Sequence, residues 1–229
     1  MIVSRKSPQL TPATSTTPSS SGRRRGAQTA ERILDAAEAV FAEQGYAGTS
    51  LRDVAERVGL RIPSLYNHFP GKESLYTAVL ERGAGPVLAA LSGFTPTLSG
   101  GTSSKEILRR VMRLLAQRPD LARLILHETL AGGQHLTPML RHWIAPIFAR
   151  AHEMVEADPA AARWRPQQIP LLVLALYHIV VGYFAVAPLY KELNGQDLMT
   201  QEALARQTDF LCEIVDALFE STTPNGSGA

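Results

Sequence analysis

Two short helical segments joined by a tight turn constrain the fold of this chain more than any other feature. The first begins after Thr49 or Ser50, both of which are suitable N-cap residues, and ends at Gly59. Only three residues separate Gly59 from the second segment, which carries Pro63 in its first turn, where the missing N–H is tolerated. Two short helices around a glycine-bearing turn predict a helix-turn-helix unit.

Helical periodicity continues on both sides of this unit. Apolar residues within residues 28–44 recur on one helical face. A further helix runs from Lys72 to about Arg82, where glycines and a proline weaken or kink it. After a stretch rich in Gly, Ser, Thr and Pro, five more helices are predicted, and none of these segments alternates as a strand would. They span residues 105–118, 120–131, 136–157, 167–193 and 200–220.

The sequence therefore predicts an all-α fold with an N-terminal three-helix helix-turn-helix domain and a larger helical domain. The first 26 residues hold ten Ser or Thr, three Pro and few large apolar side chains, a composition that cannot offset the entropy of ordering. The predicted organisation is a disordered basic arm over residues 1–26, the helix-turn-helix domain over 27–87, the helical domain over 104–221 and a disordered tail over 222–229.

Charge is distributed unevenly, although the formal net charge is only +2. The arm carries five basic and no acidic residues and ends in Arg23-Arg24-Arg25, whereas residues 27–82 carry six basic and eight acidic residues, a net charge of −2. A broadly basic surface therefore does not identify a nucleic-acid partner, and such a function depends on where individual residues lie. The single cysteine, Cys212, excludes an intramolecular disulfide and favours a reducing cytosolic setting.

The residues around the turn form a recognisable motif. Gly45-Tyr46-Ala47-Gly48-Thr49-Ser50-Leu51-Arg52-Asp53-Val54-Ala55 is followed by Val58-Gly59 and by Ser64-Leu65-Tyr66-Asn67-His68-Phe69-Pro70-Gly71-Lys72-Glu73. This stretch closely resembles the TetR family of bacterial repressors, and the resemblance covers about residues 28–82. It implies a sequence-specific DNA-binding regulator, a homodimeric repressor that a small-molecule effector releases from a palindromic operator.

The second short helix can enter a major groove, because Leu65 and Phe69 face inward and its polar side chains face outward. Thr49, Ser50 and Lys72 lie at helix N-termini, which favour phosphate. The resemblance implies phosphate contacts for Tyr66, His68 and Lys72 and base-facing positions for Arg52, Ile62, Pro63 and Ser64. Arg61 stands where the family usually has a cap residue, and we expect it to contact phosphate or guanine. The predicted DNA-binding residues are Thr49, Ser50, Arg52, Arg61, Ile62, Pro63, Ser64, Tyr66, Asn67, His68 and Lys72.

The C-terminal segments predict a dimer and an effector pocket. In the last helix apolar residues step by 4, 3, 4 and 3, a pattern that predicts a seam against a facing helix. With the apolar helix before it, this fits the four-helix bundle by which the TetR family dimerises. The predicted seam is Leu204, Thr208, Leu211, Val215 and Leu218. Candidate lining residues for a small apolar or aromatic effector are His127, Trp143, Phe148, Tyr177, His178 and Phe184.

Three other interpretations remain open at this point. The charge-free stretch Ile169–Tyr190 could span a membrane. The prolines at its two ends and the glycine and histidine inside it favour a helix buried in a dimer, so we expect no membrane partner. The chain could be a small-molecule sensor with a vestigial helix-turn-helix. An enzyme would have to use His127, His135 and His142, but Ala131 occupies the place of the second His in an H-E-x-x-H site.

No catalytic motif is present, so we expect no enzyme activity, cofactor or metal. We expect a cytoplasmic, nucleoid-associated protein, because an arginine cluster and not an apolar segment follows the Ser-rich N-terminus. Residues do not distinguish a repressor from an activator, because both bind DNA by the same chemistry, although the family resemblance favours repression.

Overall fold

The computed structural model describes residues 20–92, 104–157 and 164–219. Every regular element in these ranges is helical, which confirms the predicted all-α fold. The α-helices are α1 Ser20–Gly48, α2 Leu51–Val58, α3 Ile62–Tyr66, α4 Lys72–Ser92, α5 Ser104–Ala116, α6 Pro119–Leu130, α7 Leu136–Ala157, α8 Ile169–Asn194 and α9 Gln201–Phe219. A 3₁₀ turn at Pro166–Gln168 precedes α8.

Helix α1 begins earlier than the sequence predicts. It starts at Ser20, so Arg24 and Arg25 lie in its first turns and the prediction of a disordered arm is wrong for residues 20–26. Arginine is a good helix former, and each residue added to an existing helix gains a hydrogen bond without a new nucleus. Thr29 Oγ1 also donates to Arg25 O at 3.0 Å. Residues 1–19 of the predicted arm lie outside the described residues.

The described residues form two hydrophobic cores, and α4 contributes to both. The first core joins the N-terminal helices and also takes in Leu124 from α6; it is formed by Ile33, Leu34, Ala37, Val40, Phe41, Val54, Ala55, Val58, Leu65, Leu75, Tyr76, Val79, Leu80 and Leu124. The second core joins the C-terminal half of α4, from Ala84 onward, to α5, α6, α8 and α9. The two domains are therefore connected through one continuous helix.

The glycine and proline residues in α4 do not end it. The helix runs through Pro86 to Ser92, beyond the predicted domain end at residue 87. At Gly83 a Cβ would lie 2.6 Å from Leu121 Cδ1, so the glycine allows α4 to approach α6 closely. The predicted weak point is therefore a close contact between the two domains.

The predicted dimer seam on α9 faces the core of its own chain. Leu211 and Val215 are only 2% and 4% exposed, and α9 packs on α5 within the second core. The prediction that these two residues join two subunits is therefore wrong. A 4-3-4-3 pattern shows that a helix packs along that side, and here the partner is α5 of the same chain. Leu204, Thr208 and Leu218 are partly exposed at the margins of this contact.

Helix α8 presents a row of exposed apolar side chains. By length and composition this helix could cross a membrane, and only 17% of its most apolar 18-residue window is buried within the chain. The exposed residues recur at helical spacing on one face, with Gly182 in the middle of the row. They are Leu171, Leu174, Ile179, Val186, Leu189 and Leu193. A single chain leaves this face uncovered.

Candidate nucleic-acid interface

Helix α2 is fixed at both ends by its own sequence. Ser50, not Thr49, is the N-cap: Ser50 Oγ accepts from Asp53 N at 3.3 Å, and Ser50 N donates to Asp53 Oδ2 at 2.8 Å. These hydrogen bonds from Ser50 hold the pKa of Asp53 below its ordinary value. At the other end Gly59 has φ 74°, and Leu60 N donates to Ala55 O at 2.8 Å. The backbone of the turn is therefore tightly specified.

Helix α3 is a single short helix held by apolar anchors. Leu65 is fully buried in the first core, and Ile62 and Phe69 pack against that core from the two ends of the segment. Arg61 occupies the N-cap position with extended backbone. Its side chain makes no capping hydrogen bond, because a guanidinium group cannot accept one from a backbone N–H. Pro63 lies in the first turn. Ile62, which we expected to face bases, therefore packs partly against the core and helps to anchor the helix.

The remaining side chains of this segment point away from the core. Tyr66 is 50% exposed, and Asn67 and Arg61 are also exposed, while Ser64 and His68 are partly exposed. Arg52 is exposed on α2. This collection of hydroxyl, amide, imidazole and guanidinium groups on one short anchored helix matches the chemistry of major-groove base edges and the flanking phosphates.

Lys72 at the start of α4 lies beside the end of α1. Its Nζ is 4.5 Å from the centre of the Tyr46 ring and donates a long hydrogen bond of 3.4 Å to Ala47 O. Helix α2 starts only a few residues after Ala47. The ammonium group is therefore held next to the N-terminus of α2, where an incoming phosphate would find free N–H groups and a cation together.

Thr49 is a structural residue, and its predicted DNA contact is wrong. It is 3% exposed, and its Oγ1 donates to Gly45 O at 2.8 Å. Gly45 has φ 69° and ψ 174°, which bends the end of α1. The buried threonine hydroxyl stabilises this bend through its hydrogen bond to Gly45 O. The sequence offers either Thr49 or Ser50 as the cap, and the reciprocal hydrogen bonds between Ser50 and Asp53 identify Ser50.

Three acidic residues of the N-terminal domain surround Arg82. Arg82 Nη1 lies 3.2 Å from Glu31 and 2.8 Å from Asp35, and Arg82 Nη2 lies 2.8 Å from Glu38. Glu38 is only 7% exposed and also accepts from Arg118 Nη1 at 2.9 Å, which joins α1 to the start of α6. These pairs lie at the junction of α1, α4 and α6.

A buried carboxylate connects this interface to the C-terminal domain. Glu128 of α6 is 2% exposed and accepts from Tyr76 Oη at 2.9 Å, His135 N at 2.6 Å and Leu136 N at 3.3 Å. The His135 ring lies 4.6 Å from the Tyr46 ring and 4.9 Å from the Tyr76 ring. We call Glu128, Tyr76, His135 and Tyr46 the Glu128 cluster. It extends from the α6–α7 turn to the ring beneath Lys72.

Burial shapes the ionisation of this cluster. Burial raises the pKa of Tyr76 well above its ordinary value, and the hydrogen bond to Glu128 adds to that shift. Burial also raises the pKa of Glu128, but the hydrogen bonds from His135 N, Tyr76 and Leu136 N outweigh it and leave that pKa lowered. Sequence reasoning missed these residues. The available signal was a glutamate in line with Leu121, Leu124 and Ile125 on the buried face of α6.

The structure places the described effector candidates in different surroundings, although the rings of Tyr177 and His178 lie 5.2 Å apart in an edge-to-face arrangement. The ring of His127 lies against Gly45, where a Cβ would be 3.5 Å from its Nδ1. Tyr177 shares a 2.8 Å hydrogen bond with Thr129, His178 is exposed on α8, and Phe184 is 2% exposed in the second core. The side chains of Trp143 and Phe148 lie outside the described residues. Among the described residues, no group of three His, Cys, Asp or Glu could hold a metal ion.

Comparison with known proteins agrees with this geometry. Residues 33–79 match the family model for bacterial regulatory proteins of the tetR family, and residues 104–215 match the tetracyclin repressor-like C-terminal domain. The HTH-type transcriptional regulator RutR of Escherichia coli K12 is 27% identical over 179 residues, 77% of this chain and 84% of RutR. The HTH-type transcriptional activator FasR of Mycolicibacterium smegmatis is 37% identical over 78 residues, 34% of each chain.

Solved structures show the same fold. The transcriptional regulator SCO4942 from Streptomyces coelicolor superposes with a TM-score of 0.60 at 23% sequence identity, and the match covers 83% of this chain and 97% of that one. The matched family and relatives are regulators, not enzymes.

Proposed function

The chain belongs to the tetR family of bacterial regulatory proteins, and from this premise we propose that it is a homodimeric repressor released from a palindromic operator by a small-molecule effector. DNA-binding transcriptional regulation follows from the family itself. The observation that carries the finer proposal is the short helix α3, which is anchored by Leu65 and presents Tyr66 and Asn67 to solvent. Its site of action is then chromosomal DNA in the cytoplasm.

In this proposal α3 enters the major groove and α2 crosses the backbone. Asn67 and Ser64 face base edges, and Tyr66 and His68 bond flanking phosphates. Lys72 and the α2 N-terminus hold another phosphate between them. The rest of the DNA-binding surface is formed by Arg52, Arg61, Pro63 and part of Ile62. Arg61 is exposed and suited to bind a guanine or a phosphate.

Dimerisation supplies the second half of the operator contact, because one five-residue helix reads too few bases for specificity. We assign the interface to the exposed apolar face of α8, extended by Phe210 on α9, which is 56% exposed. A contiguous apolar face of this length favours a partner surface, and a second copy supplies an identical face through a twofold axis. That axis would place the two α3 helices about 34–36 Å apart, one turn of DNA.

Effector release requires a route from the C-terminal domain to the DNA. The support for such a route is the continuity of α4, its close contact with Leu121 at Gly83, and the Glu128 cluster. We propose that a small apolar or aromatic effector shifts α6 relative to α4 and so changes the spacing of the two α3 helices.

Repression is the proposed polarity, supported by the match to a tetracyclin repressor-like C-terminal domain. FasR, whose name describes an activator, matches over only 78 residues. Whether the protein represses or activates depends on where the operator lies relative to the promoter. A reporter gene placed behind the upstream region measures directly whether the protein lowers or raises transcription.

The test is binding to the chain's own upstream DNA, followed by fluorescence anisotropy over a range of salt concentrations. The wild type should protect a palindrome in a footprint, and Lys72→Ala should weaken binding to all sequences and lower the salt slope by about 1. Asn67→Ala should instead relax base preference at one position. Arg110→Ala, an exposed arginine on α5, is the matched charge control. Wild-type protein that leaves no footprint would favour the sensor with a vestigial helix-turn-helix.

A further inference from the structure

The N-terminal turns of α1 form a basic surface that the proposed operator contact does not use. Arg24 and Arg25 are both exposed, and Arg23 precedes them in the sequence. Five basic residues occur before the first acidic residue of the whole chain, which is Glu31. Glu31 itself pairs with Arg82 on the side of α1 that faces α4. Nothing in this part of the sequence neutralises the arginines.

One hydrogen bond places this surface relative to α3. Arg32 Nη2 donates to Val58 O at 3.0 Å, so this part of α1 lies beside the C-terminal end of α2. The chain then passes through the turn to Arg61 and enters α3. The start of α1 therefore projects past the same end of α2 from which α3 begins.

Helical geometry sets the direction in which Arg24 and Arg25 point and their distance from Arg32. Arg25 precedes Arg32 by seven residues, close to two full turns, so the two arginines lie on the same face of α1. At about 1.5 Å per residue, Arg24 and Arg25 lie roughly 10–12 Å beyond Arg32 along the axis. That distance equals about three base-pair steps of duplex DNA, because consecutive base pairs rise by about 3.4 Å.

We propose that Arg24 and Arg25 form a second DNA-contact surface, which binds backbone phosphates flanking each half-site. The proposal rests on the proposed function, since α3 must first be docked in a major groove. The ligand is the phosphate backbone and not a particular base sequence, because exposed guanidinium groups recognise phosphate wherever the duplex presents it. This surface adds affinity and salt dependence without changing which bases are read.

The test compares the Arg24→Ala/Arg25→Ala variant with wild type on the footprinted upstream duplex. The slope of log K against log salt should fall by about 1.8, and the affinity near 0.1 M salt should fall on the order of 10- to 60-fold. Arg24→Lys/Arg25→Lys should keep most of the affinity, because phosphate binding needs the charge. Arg110→Ala/Arg113→Ala removes two exposed arginines from α5 and should leave both quantities unchanged.

Duplex length separates this surface from a general charge effect. On a duplex trimmed to the outer edges of the half-sites, wild type and the Arg24→Ala/Arg25→Ala variant should bind alike, because the flanking phosphates are gone. An unchanged salt slope on the long duplex, or an equal loss on both duplexes, overturns the inference while leaving operator binding intact. A wild-type chain that binds neither duplex refutes the proposed function and this inference together.

Discussion

Replacing Glu128 should reveal how firmly the two domains are held together. Its carboxylate is 2% exposed and accepts hydrogen bonds from Tyr76 Oη, His135 N and Leu136 N. Glu128→Ala leaves these three donors without their acceptor in a place where water has little access. Hydrogen bonds to a charged group contribute about 1.5–3 kcal/mol each, and a buried donor left unpaired costs about 1–3 kcal/mol. Because such terms are not additive, we expect a loss of about 3–5 kcal/mol in the free energy of unfolding.

Urea denaturation followed by circular dichroism measures this loss directly. The m-value should stay unchanged if the variant unfolds in one step as the wild type does. Tyr76→Phe removes only one of the three hydrogen bonds and should cost about 1–2 kcal/mol. The double-mutant cycle between Glu128→Gln and Tyr76→Phe should give a coupling energy of about 0.5–3 kcal/mol. A loss below about 1 kcal/mol for Glu128→Ala, or no coupling to Tyr76, would refute the role of this carboxylate.

The same contact predicts a pH dependence. Burial opposes ionisation of Glu128, but hydrogen bonds from His135 N, Tyr76 and Leu136 N prevail, so its folded pKa lies below the ordinary value of 4.5. A lowered folded pKa gives stability that is fully present above the unfolded pKa and is lost as the pH falls through the folded pKa. The stability difference between wild type and Glu128→Gln should therefore be constant near neutral pH and shrink below pH 4.5. A difference that grows with acidification would contradict this sign.

Three further changes test other parts of the structure. Thr49→Val removes the hydroxyl bonded to the bend and should cost about 1–2 kcal/mol in urea denaturation with DNA affinity unchanged; a fall in affinity would restore Thr49 as a DNA contact. Gly45→Ala should cost about 1–3 kcal/mol because φ 69° with ψ 174° is a conformation essentially restricted to glycine, whereas Gly48→Ala should be nearly neutral. Leu189→Glu on α8 should produce monomers in analytical ultracentrifugation, and Leu130→Glu, at a still more exposed leucine on α6, should not.

The positions of the helices could be predicted because local signals mark their ends. Gly59 and Pro63 delimit α2 and α3 in the sequence as they do in the structure. The start of α1 could not be predicted from composition, because a serine- and arginine-rich segment can be disordered or can extend a stable helix. The segment is helical here because it continues the well-packed part of α1, which begins near Ile33 and serves as the nucleus.

Packing partners are harder to predict than packing faces. The 4-3-4-3 pattern on α9 correctly indicated a helix against that side, yet it contains no information on whether α5 or another subunit supplies it. Both would bury Leu211 and Val215 equally well. Conversely, α8 is apolar on nearly all sides, so its sequence conceals which face is left exposed. Only the packed structure shows that Phe184 is buried and that Val186 is exposed.

The charge balance of the N-terminal domain shows why composition was a poor guide to function. Residues 27–82 carry a net charge of −2, which by itself disfavours DNA. In the structure Arg82 pairs with Glu31, Asp35 and Glu38, and Glu38 also pairs with Arg118 from outside this stretch. Two arginines against three carboxylates leave this group with a net charge of −1, and salt largely screens its field beyond a Debye length of about 10 Å. Arg52, Arg61 and Lys72 lie on or beside α2 and α3, so a domain of negative net charge still places cationic groups at this surface.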